Sequence, residues 1–171
     1  EHDTSGFEST PQIGELYADA ADIDYFISGD LETALLRYTT SVDMKNDTPS
    51  IRYRIGYIYY GKNDYMNALG SFMKASEDNP EDNNLLLAMG NTLALNADNY
   101  ASEGYYERLL SSLDVEKQQK GILFPQVHPK DADIVDLYLK ASNNLGVTLY
   151  RLARRTGSSS KNAEAMVQFS Q

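Results

Sequence analysis

The strongest constraint on this chain is a recurrence at 34 residues. Gly56 and Gly90 stand one step apart, as do Tyr25, Tyr59 and Leu93. Ala34, Ala68 and Ser102 form a third column, and Tyr38, Phe72 and Tyr106 a fourth. Four columns of small or aromatic character in one register mean that a single supersecondary unit is repeated. Such a unit cannot bury its apolar face alone and must stack on its neighbours.

Each period divides into two helical halves. Ile51, Ile55, Ile58 and Tyr59 fall on one helix face, at i, i+4 and i+7. Gly61-Lys62-Asn63-Asp64 interrupts the pattern, with Asp64 as an N-cap for the next helix. Tyr65, Ala68, Leu69, Phe72 and Met73 then restart it, and Asn79-Pro80 stops it because proline cannot continue a helix. The preceding period repeats this punctuation, with Ser28-Gly29-Asp30 between its helices and Thr48 capping a helix whose first turn holds Pro49. In this reading Gly56 and Ala68 face each other across the hairpin, and Tyr59 and Phe72 fill the space beside them.

The segment from Ile55 through Pro80 resembles a tetratricopeptide repeat (TPR), through Gly56, Tyr59, Ala68, Phe72, Ala75 and Pro80 in order and spacing. Arg52 departs from the pattern, standing where a large apolar residue is usual. Residues 15–48 are a weaker copy, with Tyr25, Ala34, Tyr38 and Ser41 matching and Asp22 in place of the glycine. Residues 83–116 keep Leu86, Met89, Gly90, Leu93, Ser102 and Tyr106 but lack the closing proline. The resemblance implies an all-α fold, a right-handed superhelix of antiparallel helix hairpins with about 3.5 repeats. The expected divisions are repeats over 13–48, 49–82 and 83–114, an inserted loop over 115–130, and a long helix with a truncated fourth repeat over 131–171.

The loop is expected because the register breaks in DVEKQQKGILFPQVHPK, residues 114–130, with two prolines and a glycine. Its apolar Ile122, Leu123, Phe124 and Val127 either tuck back onto the array or dock on a partner, and folding back is the less costly arrangement. A helical pattern then spans Asp131 to Arg155, with Gly146 at the small position of the fourth repeat. Residues 156–160 read as a flexible loop longer than the family norm. Asn162 to Gln171 reads as a second helix carrying Ala165 and Phe169. A chain that stops inside that helix is expected to be a piece of a longer array and to self-associate through its C-terminal end.

Stacked hairpins leave a concave groove, and the 34-residue step assigns its lining. Tyr53, Tyr57 and Tyr60 carry it in the second repeat, Asp19, Ile23 and Phe26 in the first, Leu87, Asn91 and Ala94 in the third, and Asn143 and Tyr150 in the fourth. Tyrosine suits a peptide groove, offering large area, low entropy cost and a hydroxyl; equally, these rings could simply fill the tight inner curve. The lysine–asparagine clamp by which some TPR proteins hold a C-terminal carboxylate is absent, since the matching positions are Asp19 and Ile23. Arg151, Arg154, Arg155 and Lys161 form the one basic cluster. It reads either as cations favouring a helix C-terminus or as a docking patch for an acidic partner.

Composition closes off other classes. The 171 residues contain no cysteine, which excludes disulfides, thiolate catalysis and zinc–thiolate sites. Only His2 and His128 could supply imidazole, so no metal site and no cofactor are expected. Asp131, Asp133 and Asp136 cluster at a helix start, where carboxylates belong, and Asp22 and Asp24 lack a convergent ligand. No phosphate-binding loop, EF-hand, zincin or nucleophile-elbow motif is present, so the chain reads as no enzyme. A net charge of −10 argues against general nucleic-acid binding, and no apolar run is long enough to span a membrane. That charge is uneven, at −9 over residues 1–48, −4 over 49–114 and +3 over 115–171.

The expected function is a non-enzymatic scaffold whose groove binds a protein or peptide segment. The alternatives are a structural component of a large envelope or motility-associated complex, such as one around periplasmic flagella, and an accessory domain of a larger enzyme. Glu1 is not a natural start, which leaves room for a removed leader, and a periplasmic or envelope location is slightly favoured over the cytoplasm.

Overall fold

A computed structural model describes residues 11–123 and 128–170. All regular structure among them is helical, and the chain divides into two compact units, residues 1–75 and 76–171. In unit 1, α1 (Pro11–Ile23) continues into a wide π-turn over Asp24–Ser28. There follow α2 (Leu31–Asp43), α3 (Pro49–Gly61) and α4 (Tyr65–Ala75). In unit 2, α5 (Asn83–Leu95) and α6 (Asn99–Lys120) are followed by a 3-10 turn at Pro129–Asp131, then α7 (Ala132–Thr156) and α8 (Ser159–Phe169). The hairpin pairs α1–α2, α3–α4, α5–α6 and α7–α8 each pack together, and α7 also packs on α6.

The hairpin turns share one backbone device. Gly29, Asn63 and Ala97, again 34 residues apart, all adopt left-handed φ of 68°, 59° and 63°. The aspartate after each, Asp30, Asp64 or Asp98, accepts the backbone N–H three residues on and starts the second helix. Gly157 (φ 71°) and Ser158 do the same work before α8. Alanine is the poor fit in this column, because its Cβ crowds the following carbonyl in the left-handed region. Ala97→Gly should therefore stabilise unit 2 by about 0.5–1 kcal/mol, the strain relieved less the entropy glycine adds to the unfolded chain. An unmoved urea midpoint would show that the turn holds no such strain.

The small column has a more exact purpose than the sequence suggested. A Cβ placed on Gly56 would meet the Phe72 ring at 2.5 Å, one on Gly90 the Tyr106 ring at 2.7 Å, and one on Gly146 the Phe169 ring at 2.6 Å. The nearest neighbour of Gly56 is thus Phe72 and not Ala68, although Ala68 is fully buried. Each glycine clears a seat for the aromatic ring of the opposite helix. In the first hairpin Asp22 replaces the glycine, and its carboxylate instead accepts the Tyr38 hydroxyl at 2.5 Å. The ring follows its glycine by 16 residues in the second and third hairpins and by 23 in the last. The seven extra residues are about two helical turns, shared between longer arms, so ring and glycine still meet.

Two expectations about the connections need correction. Residues 115–120 are not part of a loop, because α6 runs unbroken to Lys120. The stretch holds no glycine or proline before Gly121, and Glu116–Lys120 adds an i,i+4 ion pair. Gly121 then ends the helix in the left-handed conformation (φ 64°), with Ile122 N–H bonded back to Lys117 O at 2.9 Å. Ile122 is buried as that cap closes, Leu123 is exposed, and Phe124 and Val127 lie outside the described residues. Likewise, residues 156–160 are not a flexible loop. Thr156 ends α7, Ser159 begins α8, and only Gly157 and Ser158 connect them.

Candidate functional site

In unit 1, α3 sorts its residues by helical period. Ile51, Ile55 and Ile58 go to the core with Ala21, Ala34 and Tyr38. Tyr53, Tyr57 and Tyr60 stay half-buried on another stripe. Their rings meet edge to face in series: Tyr53–Tyr57 at 4.8 Å, Tyr57–Tyr60 at 6.1 Å, and Tyr60–Tyr65 at 6.1 Å between centroids. Phe72 backs this row, 5.8 Å from Tyr53 and 5.3 Å from Tyr57. The residue that Gly56 seats is therefore also the support of the tyrosine row, which ties packing in the hairpin to the shape of its surface.

The π-turn after α1 adds a second aromatic pair, Tyr25 and Phe26, 4.8 Å apart. Arg54 joins this pair to α3. Its guanidinium lies 5.2 Å from the Phe26 ring centre and donates to Asp22 Oδ1 at 2.7 Å. Asp22 in turn receives the Tyr38 hydroxyl, and Arg37 holds the buried Asp24 at 2.7 Å. Burial pushes the phenols of Tyr25 and Tyr60 above the ordinary tyrosine value, with the neighbouring Tyr57 adding to both shifts. Burial, then Asp22, pushes the Tyr38 phenol up much further. These hydroxyls are neutral donors throughout the physiological range.

Of the expected groove residues in unit 1, Phe26 lies beside Arg54 of α3, while Asp19 and Ile23 are exposed on α1. The sequence reading did not assign Tyr25, Arg54 or Tyr65 to this surface. By its period Tyr25 reads only as part of a packing column. Arg54 carries one legible signal: it is a cation 32 residues from Asp22, almost one full repeat, among apolar neighbours.

Unit 2 places its expected groove residues differently. Leu87 is half-buried against the core. Asn91 is taken up internally, its Oδ1 accepting the Tyr106 hydroxyl at 2.7 Å and Asn144 Nδ2 at 2.9 Å. Ala94 is half-buried, its carbonyl 3.4 Å from Arg151 Nη1, and Asn143 and Tyr150 are exposed. The basic cluster is largely fastened down: Lys161 pairs with Glu103, and Arg155 lies over the Tyr100 ring at 5.0 Å. Among the described residues no group of three or more His, Asp or Glu side chains is placed to hold a metal ion. No described helix is long and apolar enough to cross a membrane.

No family model matches the chain, and no curated protein matches it. Solved structures do. The chain is similar to YrrB, described as a TPR protein with an unusual peptide-binding site, at 21% identity over 89% of this chain and 84% of that one, with a TM-score of 0.51. A looser likeness, with a TM-score of 0.39, is to a chain from Bacteroides ovatus described provisionally as a protein-binding protein. It is 11% identical over 91% of this chain and 96% of that one. The likeness to YrrB shows a TPR-like fold.

Proposed function

We propose that this chain is a non-enzymatic protein-binding scaffold, and that the aromatic face of unit 1 holds a segment of the partner. The observation that carries the reading is the row Tyr53–Tyr57–Tyr60–Tyr65, half-buried and pre-packed by its own ring contacts. Rings already immobilised lose little entropy when a partner covers them, and although Tyr53 donates to Tyr57 at 3.4 Å and Tyr65 to Asn63 at 2.7 Å, every hydroxyl oxygen of the row keeps capacity to accept from a peptide backbone. The description of YrrB as a peptide-binding TPR protein supports the same class of partner. Self-association through the exposed Met166 and Val167 of α8 is a separate route to assembly, read by light scattering at rising concentration.

The test is selection of peptides from a displayed random library on the chain. Selected peptides should bind the Tyr53→Ala, Tyr57→Ala double variant about 30-fold more weakly, the loss of one central hot spot. Circular dichroism should be unchanged, because neither ring is fully buried. Peptides that bind the double variant as well as they bind the original chain would remove this face as the site.

A further inference from the structure

A second surface of different chemistry lies wholly within unit 2. The prolonged α6 forms one wall of a cleft of about 640 Å³, α8 forms the other, and α7 forms the floor. That volume falls within the range of about 300–1,000 Å³ typical of built ligand clefts. Leu145 and Leu149 of α7, with Leu110 of α6 beside them, close the floor and are themselves nearly buried, so the exposed lining is mixed polar and apolar. Asp114, Val115 and Gln118 come from the end of α6 that outruns a simple hairpin, and Val115 is 52% exposed at the lip. Without those last turns the cleft would lose much of this wall.

The rim is negative. Glu107 and Glu164 line the cleft from opposite walls, and neither has an ion-pair partner among the described residues. Glu164 accepts only the Ser160 hydroxyl, at 2.7 Å. Two ammonium groups are near, and both are engaged: Lys117 bonds Asp114 at 3.2 Å and sits over the Tyr138 ring, while Lys161 is bonded to Glu103. The carboxylates of Glu103, Glu107 and Glu164 together hold the Lys161 ammonium above its ordinary range. The residues lining the cleft thus include the carboxylates of Glu107, Asp114 and Glu164 and no cation. Charge complementarity selects the occupant.

We propose that this cleft docks a basic amphipathic helix of a partner protein, with its apolar side chains against Val115 at the lip and Lys or Arg toward Glu107 and Glu164. This is a different surface from the aromatic face of unit 1, and it holds or fails independently of that reading. The probe is a synthetic 18-residue Leu/Lys amphipathic peptide, with a Leu/Glu peptide of the same pattern beside it, titrated into the full chain by fluorescence anisotropy.

Because the chain is acidic overall, net charge must be held constant. The Glu107→Lys, Glu164→Lys variant is therefore compared with Glu77→Lys, Asp78→Lys, an equal reversal at an exposed turn. The expected result is binding of the Leu/Lys peptide alone, weakened at least 10-fold by the cleft variant and less than twofold by the matched control. Glu107→Gln with Glu164→Gln, which keeps side-chain size, should lose at least fivefold if the reversal variant does not fold. The Tyr53→Ala, Tyr57→Ala variant should bind the peptide unchanged. Equal losses at cleft and control, or no loss at the cleft, would overturn the proposal, as would equal binding of the two peptides.

Discussion

Gly56→Leu should lower the melting temperature of this chain by about 5–10 °C. The position has no room, since even a Cβ would stand 2.5 Å from the Phe72 ring. Phe72 cannot step aside, because it is fully buried and packs against Tyr53 and Tyr57. Overpacking of this kind costs about 2–3 kcal/mol, and each kcal/mol is worth about 2–4 °C in a chain of this size. A double-mutant cycle identifies the cause. Phe72→Ala alone should cost about 3–5 kcal/mol. Combined with Gly56→Leu it should cost clearly less than the two separately, because the leucine enters the space the ring vacates. Strict additivity, or an unchanged melt for Gly56→Leu, would show that the ring does not sit on the glycine. The same substitution should disturb the tyrosine row above it, so peptide binding at unit 1 should weaken in step with stability.

Val115→Pro should destabilise the chain by about 3 kcal/mol in urea. In a loop this substitution would cost almost nothing. In α6 it removes the backbone donor and drives the proline ring against the carbonyl one turn earlier. The side chain lost is half-exposed, so packing contributes little to the effect. An unmoved midpoint would return residues 115–120 to the loop expected from the register break. It would also remove the wall on which the cleft of unit 2 depends.

These two experiments fall on opposite sides of what the residue string made legible. The hairpins were legible because their signals are local. Asp30, Thr48 and Asp64 cap through the next turn of their own helices, and Pro49 fits a first turn wherever one begins. The Ile51–Ile55–Ile58 stripe needed only the helical period. A fixed 34-residue step then carried these local assignments from one hairpin to the next. The column Gly29, Asn63, Ala97 is equally periodic but carries no legible signal, because glycine, asparagine and alanine share no side-chain character. What they share is a backbone angle, which the sequence does not print.

Local structure is hardest to read where the period stops. Residues 114–130 looked like one insertion because no repeat matched them. Helix propensity nevertheless continues through VEKQQK and ends only at Gly121. A lost repeat register is not a lost helix. The longer arms of the last hairpin misled in the same way: Ser158 to Ser160 has the composition of a loop, yet Ser158 is a cap and the next two residues are helical.

By itself, then, the sequence determined the class of fold and the residues that cap its best-marked helices, Thr48 and Asp64 among them. Each of these depends on interactions within a few residues or on a strict period. Tertiary structure decided which atoms the small residues accommodate and how Arg54 bridges Asp22 and Phe26. It also decided that Asn91 turns inward to Tyr106 and Asn144, and that α6, α7 and α8 enclose a cleft. The hydrogen bonds among those outcomes join residues 15 to 53 apart in the chain, set by helix lengths and rotations. A side chain's neighbours follow from the position of its helix in space, and one-dimensional periodicity fixes only the face on which it stands.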